Sequence, residues 1–164
     1  MFRPDYRFDR VSEIDVPFLI RAGVRGLILD IDNTLAFPDK RDVPADIAAW
    51  LETMKQSHVP LVILSNNSAS RIRGFAETVG LPFVERGAKP LTRGYKRAAD
   101  ALGLPLYRLA AVGDQLFTDV WGGNRAGIVT ILTAPFAEDQ TAFIKFKRKL
   151  EKPLLKKYGK RGHA

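Results

Sequence analysis

Residues 26–35, with the sequence GLILDIDNTL, are the clearest indication of the fold. Its first half is a continuous apolar run, which is typical of a strand covered on both faces in a parallel sheet. Directly after that run come two acids, Asp30 and Asp32, spaced two positions apart. In an extended chain this spacing puts both carboxylates on the same side. Two like charges this close repel each other unless a cation or a shared proton neutralises them. Acids are also common in the turns after strands, so a purely structural role stays open from this stretch alone.

On the C-terminal side of this strand, further strand candidates alternate with helix candidates. Four further strand candidates follow: Pro60–Ser65, Leu81–Glu85, Arg108–Gly113 and Val129–Leu132. Helical patterns alternate with them: Pro44–Ser57, Ser68–Val79, Thr92–Leu102 and Thr118–Ala126. This alternation predicts an α/β fold, a single Rossmann-like three-layer sandwich around a central, mainly parallel, five-stranded sheet.

Three segments are expected along the chain. Residues 1–23 are predicted to be an irregular lead-in, residues 24–140 the α/β core, and residues 141–164 a basic amphipathic helix or tail. The net charge of +8 comes from that last segment, which holds nine basic side chains and one acidic one. The basicity is therefore a property of the tail and not of the whole surface.

The composition excludes several classes of function. There is no cysteine, and the two histidines lie far apart at positions 58 and 163, so disulfides, zinc sites built on sulfur and a Ser-His-Asp triad are improbable. No apolar run reaches the roughly 18–20 residues needed to span a bilayer. We therefore expect a soluble cytoplasmic protein, at most peripheral at the inner face of the membrane.

Polar residues follow the other predicted strands as well. Ser65 and Asn66 come after the second strand of the core, and Asp114 follows Gly113 after the fourth. In open α/β sheets the ligand site lies at the carboxyl ends of the strands, so these side chains should meet at one edge. Helix capping is an equally good explanation for the Ser65 segment by itself. Together, the acids and the hydroxyl predict a site for a hard cation with oxygen ligands.

Two further residues complete the candidate site. Lys89 stands before a proline, which holds it out of the helical region on a loop, and it is the expected partner of a phosphoryl group. Taken alone, it is an ordinary solvated surface lysine. Asp119 is expected in the first turn of the next helix, where an acid also simply complements the helix dipole.

In chain order, DxDNT at residues 30–34, the hydroxyl of Ser65, Lys89 and GDxxxxD at residues 113–119 resemble the four motifs of the haloacid dehalogenase superfamily. The match spans roughly residues 24–135, and the set is more specific than any single motif. The resemblance implies the fold of that superfamily and a phosphatase activity.

The resemblance also implies roles in catalysis. Asp30 would attack phosphorus and form an aspartyl phosphate. Asp32 would protonate the leaving oxygen and then activate water, since general acid–base catalysis contributes about 10²–10⁴ in rate. Ser65 and Lys89 would contact the transferred phosphoryl group. Phosphate binding is assigned to four residues: Thr34, Ser65, Asn66 and Lys89.

A Mg²⁺ site is implied by the same resemblance. Asp30, the backbone carbonyl of Asp32 and the side chain of Asp114 would hold the ion. Asp119 would orient Lys89 or a water on the metal.

No cap domain is expected, because the two gaps where one could be inserted, residues 35–43 and 66–88, are too short to hold it. The site should therefore be open and admit a phosphate on a large body, such as a lipid headgroup, a nucleic-acid end or a protein. The chain more specifically resembles the YqeG family of capless, subclass IIIA phosphatases, which is similar to the mitochondrial phosphatidylglycerophosphate phosphatase. This resemblance implies hydrolysis of phosphatidylglycerophosphate to phosphatidylglycerol. A soluble phosphomonoester as substrate, or a ribosome- or RNA-associated binding module, are the alternatives.

The tail leaves three interpretations open. Phe143, Phe146, Leu150 and Leu154 recur at helical spacing among basic residues, and Pro153 is expected to kink or end the helix. A basic amphipathic helix is typical of binding to a membrane surface. Docking of the apolar stripe on the core, or contact with RNA phosphates, explains the same pattern. The oligomeric state is not predicted.

Overall fold

A computed structural model describes residues 1–137 and 142–158 of the chain. Its strands, in chain order, are β1 (Tyr6–Phe8), β2 (Gly26–Leu29), β3 (Leu61–Leu64), β4 (Phe83–Val84), β5 (Leu109–Gly113) and β6 (Val129–Thr133). Its α-helices are α1 (Val16–Arg21), α2 (Ala45–Gln56), α3 (Ala69–Val79), α4 (Thr92–Leu102), α5 (Trp121–Ala126) and α6 (Ala142–Tyr158). Short 3₁₀ helices cover Val11–Glu13 and Leu106–Arg108, and a π-helix covers Leu116–Val120.

The six strands form one parallel sheet in the order β1-β6-β5-β2-β3-β4. Within it, Leu29 of β2 is paired with Val112 of β5 on one side and Ile63 of β3 on the other. The three strands therefore end side by side, and the residues that follow them meet at one edge of the sheet.

Helices cover both faces of the sheet, as the alternating side chains of β2 illustrate. Leu27 and Leu29 pack into a core with residues of α1, α2 and α3, whereas Ile28 points to the opposite core with residues of α4. Side chains of successive strand residues point to opposite faces, which is why a continuous apolar run fits this position. The predicted three-layer α/β fold is confirmed.

The predictions of five strands and an irregular lead-in were wrong. Residues 6–8 form β1, which extends the sheet by pairing Tyr6 with Ile131 of β6. The carboxylate of Asp5 fastens this edge by accepting a hydrogen bond of 2.8 Å from the backbone N–H of Thr130. Phe8 is buried, so the lead-in contributes to the core. A strand of three residues is too short for its alternation to stand out from an irregular segment.

The boundaries of the remaining predicted elements agree with the structure apart from local differences. The strand predicted at 81–85 is confined to Phe83–Val84, and the helix predicted from Thr118 begins as the π-helix Leu116–Val120 before it continues as α5. The predicted boundary at 140/141 and the end of the tail at 159–164 lie outside the described residues.

The basic tail forms α6 over Ala142–Tyr158. The helix continues through Pro153, where Leu154 and Leu155 pack against the buried cluster of Leu116, Val120 and Leu132. Three residues of the predicted apolar stripe do not dock on the core but are exposed: Phe143, Phe146 and Leu150. None of the helices in the described part of the chain combines the length and the hydropathy needed to cross a bilayer.

Candidate active site

A cavity of about 340 Å³ opens at the carboxyl ends of β2 and β3. Its lining includes most of the residues assigned from the sequence: Asp30, Asp32, Ser65, Asn66 and Lys89. Thr34 is not part of this lining, because it is completely buried in the turn after β2. The topology of the sheet thus brings these three separate stretches of sequence to one place.

At the base of the site, three buried charged side chains form a chain of ion pairs. The Nζ atom of Lys89 lies 2.9 Å from Oδ1 of Asp30 and 2.5 Å from Oδ1 of Asp119. Burial raises the pKa of Asp30 to about 6, although the Lys89 ammonium opposes the rise. Burial by itself lowers the pKa of Lys89, but the carboxylates of Asp119 and Asp30 outweigh it and leave that pKa above its ordinary value. Lys89 is therefore a permanent positive charge beside Asp30.

The loop that carries Lys89 is clamped to the end of β3. The side chain of Asn66 accepts a hydrogen bond of 2.7 Å from the Lys89 N–H and donates one of 2.8 Å to the Lys89 carbonyl. A Cβ atom at Gly87 would lie 2.4 Å from the carbonyl oxygen of Ser65, so only glycine permits this approach of the loop to the strand. Asn66, assigned to phosphate binding, has a positioning role in this structure.

Asp32 is held apart from these ion pairs. Its Oδ2 accepts a hydrogen bond of 2.6 Å from Nδ2 of Asn67, and its Oδ1 lies 2.6 Å from the guanidinium of Arg71 in α3. The same Asn67 amide donates to Ser65 Oγ at 3.1 Å. Asp32 is thus a fixed carboxylate at the cavity wall, with partners that the sequence did not indicate.

Three buried acids could hold a metal ion. One carboxylate oxygen each of Asp30, Asp114 and Asp119 lies within 4.8 Å of the others. Burial raises the pKa of Asp114 well above its ordinary value, against the opposing charge of Arg148. Oδ1 of Asp114 is buried without a hydrogen-bond partner among the described residues. Because carboxylate oxygens are the preferred ligands of Mg²⁺, this donor set fits that ion. The side chain of Asp32 does not belong to the cluster.

Sequence reasoning missed the contact of α6 with this cluster. Arg148 pairs with the carboxylate of Asp114 and also donates to its backbone carbonyl. Glu151, which is 1% exposed, lies 3.6 Å from Arg148 and accepts a hydrogen bond of 3.2 Å from the N–H of Phe117. The signal available in the sequence was Glu151 itself. It is the single acid of a basic segment, and a charge of opposite sign in such a segment often has a specific partner.

A parallel sheet that collects Asp30, Lys89 and Asp114 at one edge is the arrangement of an α/β phosphohydrolase. The sequence model of the haloacid dehalogenase-like hydrolase family matches residues 11–127. The chain belongs to this family, as its motifs predicted, and it is an enzyme of the phosphatase type.

Two relatives with curated descriptions refine this assignment. The chain is 35% identical over 162 residues to "Probable phosphatase YqeG" of Bacillus subtilis, a match that covers 99% of this chain and 94% of that protein. It is 28% identical over 159 residues to "Phosphatidylglycerophosphate phosphatase 1, chloroplastic/mitochondrial" of Arabidopsis thaliana. That match covers 91% of this chain but 46% of the plant protein, so the chain spans about half of that relative. The predicted resemblance to the YqeG family is confirmed.

Among solved structures, a haloacid dehalogenase superfamily hydrolase from Ehrlichia chaffeensis is similar with a TM-score of 0.56 and 14% identity. The similarity covers 80% of this chain and 98% of that one. At this identity the comparison shows the fold.

Proposed function

We propose that this phosphatase is a Mg²⁺-dependent phosphomonoester hydrolase that forms an aspartyl phosphate on Asp30 and acts on phosphatidylglycerophosphate. The observation that carries the proposal is the ion pair between Asp30 and Lys89 at the base of the cavity, with Asp32 fixed at its wall. A carboxylate beside a permanent cation is ionised and oriented, which suits a nucleophile.

In the first step, a carboxylate oxygen of Asp30 attacks the phosphorus atom of the bound monoester. The bond between phosphorus and the ester oxygen breaks, and Asp32 donates a proton to that oxygen as the alcohol leaves. Lys89 compensates the negative charge on the phosphoryl oxygens. Asn67 and Arg71 hold Asp32 where it can reach the leaving oxygen.

In the second step, Asp32 takes a proton from a water molecule whose oxygen attacks the same phosphorus. The bond between phosphorus and Asp30 breaks and inorganic phosphate is released. Asp30 is then ionised and Asp32 protonated, as at the start of the first step. Without an acid at position 32 the covalent intermediate would have no general base at this wall.

In this mechanism Mg²⁺ would bind at the cluster of three buried acids. Asp30 and Asp114 would hold Mg²⁺ together with the carbonyl of Asp32, and Asp119 would keep Lys89 in place. When bound, the ion supplies positive charge that neutralises the phosphoryl oxygens and the crowded acids. The unpartnered Oδ1 of Asp114 supports its presence.

The lipid substrate is supported by the plant relative, whose name specifies phosphatidylglycerophosphate. The outer surface of α6 offers a matching membrane contact. Phe143, Phe146 and Leu150 are 69%, 60% and 48% exposed, and Lys145 and Lys149 are exposed on the same helix. Apolar burial combined with attraction to anionic lipid is the usual basis of peripheral binding. We therefore propose that α6 places the cavity at a lipid surface.

The test is Mg²⁺-dependent release of phosphate from phosphatidylglycerophosphate in mixed micelles, beside p-nitrophenyl phosphate, with the Asp30→Asn variant as control. We expect release from both, lost in the variant, and faster release from the lipid. Release from the soluble ester alone would reject the lipid as substrate. Release that persists in Asp30→Asn would reject the covalent mechanism.

The membrane contact is tested by flotation with vesicles that contain phosphatidylglycerol. Phe146→Ser combined with Leu150→Ser should lose vesicle binding yet keep hydrolysis of p-nitrophenyl phosphate, because neither residue lines the cavity. Tyr107→Ser is the matched control, because Tyr107 is 69% exposed and lies in the 3₁₀ helix before β5. Equal flotation of all three proteins would contradict the role of α6.

A further inference from the structure

The helix α6 is fastened to the catalytic edge of the sheet from one side. Arg148 pairs with Asp114, and Glu151 accepts a hydrogen bond from the backbone of Phe117. One turn further on, Leu154 and Leu155 pack against a buried cluster of the core. These contacts determine which face of α6 points to the active site.

The preceding turn of α6 forms a wall of the cavity. Phe143, Ile144 and Lys147 line it together with Asp30, Ser65 and Lys89. The site expected to be open is therefore covered on one side by a helix from the C-terminal segment. A residue on this wall would contact the part of the substrate that carries the phosphate, since the phosphate itself lies at the strand ends.

Lys147 is the cation on this wall whose charge is not used elsewhere. Lys89 is paired with Asp30 and Asp119, and its charge is needed at the phosphoryl group. Within residues 1–137 and 142–158, Lys147 forms no ion pair, and its Nζ lies 5.1 Å from the centre of the Phe143 ring. It is half-buried beside that ring, so it faces the cavity with a partly desolvated charge.

We propose that Lys147 binds a second anionic group of the substrate, a phosphodiester or second phosphate borne by the alcohol that leaves. This inference rests on the proposed function, since the scissile monoester must be bound at Asp30. The cavity of about 340 Å³ lies at the lower end of the range for small-molecule sites, which is enough for a polar headgroup but not for acyl chains. Lys147 is thus a specificity-determining residue, and it favours headgroups with two phosphates over simple monoesters.

The experiment compares Lys147→Ala with Lys156→Ala, which removes the same charge from an exposed position nearer the end of α6. Each variant is assayed on glycerol 3-phosphate, on the deacylated headgroup glycerophosphoglycerol phosphate, and on phosphatidylglycerophosphate in micelles. A charge-assisted hydrogen bond contributes about 1.5–3 kcal/mol, so we expect Lys147→Ala to lose about 10- to 150-fold in kcat/KM on both two-phosphate substrates, through KM. The loss on glycerol 3-phosphate should be several-fold smaller, Lys147→Arg should restore most of the difference, and Lys156→Ala should behave as wild type.

Three results would overturn the proposal. An equal loss on one-phosphate and two-phosphate substrates would mean that Lys147 acts on the scissile group or on α6 itself. A loss on the lipid without a loss on its deacylated headgroup would mean that Lys147 acts through the membrane surface. No loss on any substrate would remove Lys147 from recognition.

A binding measurement separates this proposal from the proposed function. Calorimetry with the Asp30→Asn protein measures the affinity for the deacylated headgroup without turnover. Weaker binding when Lys147→Ala is added supports the second-anion site even if wild type hydrolyses none of the three esters. Unchanged binding refutes it even if all three are hydrolysed.

Discussion

Gly113 ends β5 against the side chain of Asp119. A Cβ atom at this position would lie 2.1 Å from Cγ of Asp119, so Gly113→Ala must displace that carboxylate. Because Asp119 is an ion-pair partner of Lys89, we expect a loss of at least about tenfold in kcat. We also expect a lower melting temperature, since breaking a buried ion pair costs about 3–5 kcal/mol. Steady-state kinetics and thermal unfolding measure both effects.

The control for this substitution is Gly74→Ala. Gly74 lies inside α3, where a new Cβ would meet only the end of the Arg41 side chain at 3.4 Å. Alanine in a helix interior is more stable than glycine by about 0.5–1 kcal/mol. A Gly113→Ala enzyme as active and stable as Gly74→Ala would show that Asp119 has room to move.

Arg71 and Asn67 hold Asp32, so the loss of rate on removing such a partner should depend on the leaving group of the substrate. Arg71→Ala removes a partner of Asp32, so protonation of the leaving oxygen should suffer. Alkyl phosphates need this proton, whereas p-nitrophenolate leaves easily without it. We predict a fall of about 10- to 100-fold in kcat on glycerol phosphates and a much smaller one on p-nitrophenyl phosphate. Arg73→Ala, which breaks an exposed pair with Glu85, should change neither rate; similar losses on both esters in Arg71→Ala would contradict the assignment.

Individual site residues were predictable from the sequence where they directly follow a predicted strand or precede a proline. Asp30, Lys89 and Asp114 stand directly after apolar runs or before a proline, so their type and position were enough. Arg71 and Arg148 carry no such signal. Their roles depend on how a helix packs on the sheet, and a pattern of single residues does not determine that packing.

Among the elements, α6 depends on Glu151 for its attachment. Burial raises the pKa of Glu151, although the Phe117 N–H and the charge of Arg148 oppose the rise and Asp119 adds to it. The folded protein thus binds this proton more tightly than the unfolded chain, so the contribution of Glu151 to stability falls as the pH rises above about 4.5. Glu151→Gln lacks this titration. In urea unfolding, the free energy of unfolding of the variant minus that of wild type should therefore rise as the pH increases above about 4.5. A difference that does not change with pH would contradict this prediction.

The spacing of apolar residues in α6 predicted a helix but left open whether its apolar stripe packs on the core. Phe143 and Phe146 of that stripe are exposed, while Arg148 and Glu151 face the core. Apolar periodicity identifies the buried face when burial is driven by apolar contacts. Here charged groups anchor the helix, so the strongest stripe was the outer one.

For the molecule as a whole, the cluster of Asp30, Asp114 and Asp119 predicts a large response to metal. A ligand that binds only the folded state stabilises it by about 2.7 kcal/mol at a hundred times its Kd. We expect millimolar Mg²⁺ to raise the melting temperature by several degrees at neutral pH in scanning calorimetry. Asp114→Asn should abolish the response, whereas Asp46→Asn, on the exposed surface of α2, should leave it intact. An equal shift in both variants would place the ion elsewhere.

The pairing of β1 with β6 has a consequence for biosynthesis. Ile131 leaves the ribosome 125 residues after its partner Tyr6. At about 5–20 residues per second, β1 waits several seconds or longer with its hydrogen-bonding edge unpaired. The nascent chain thus exposes an unpaired strand edge until β6 has emerged, and the step that closes the sheet comes after every catalytic residue has already been made.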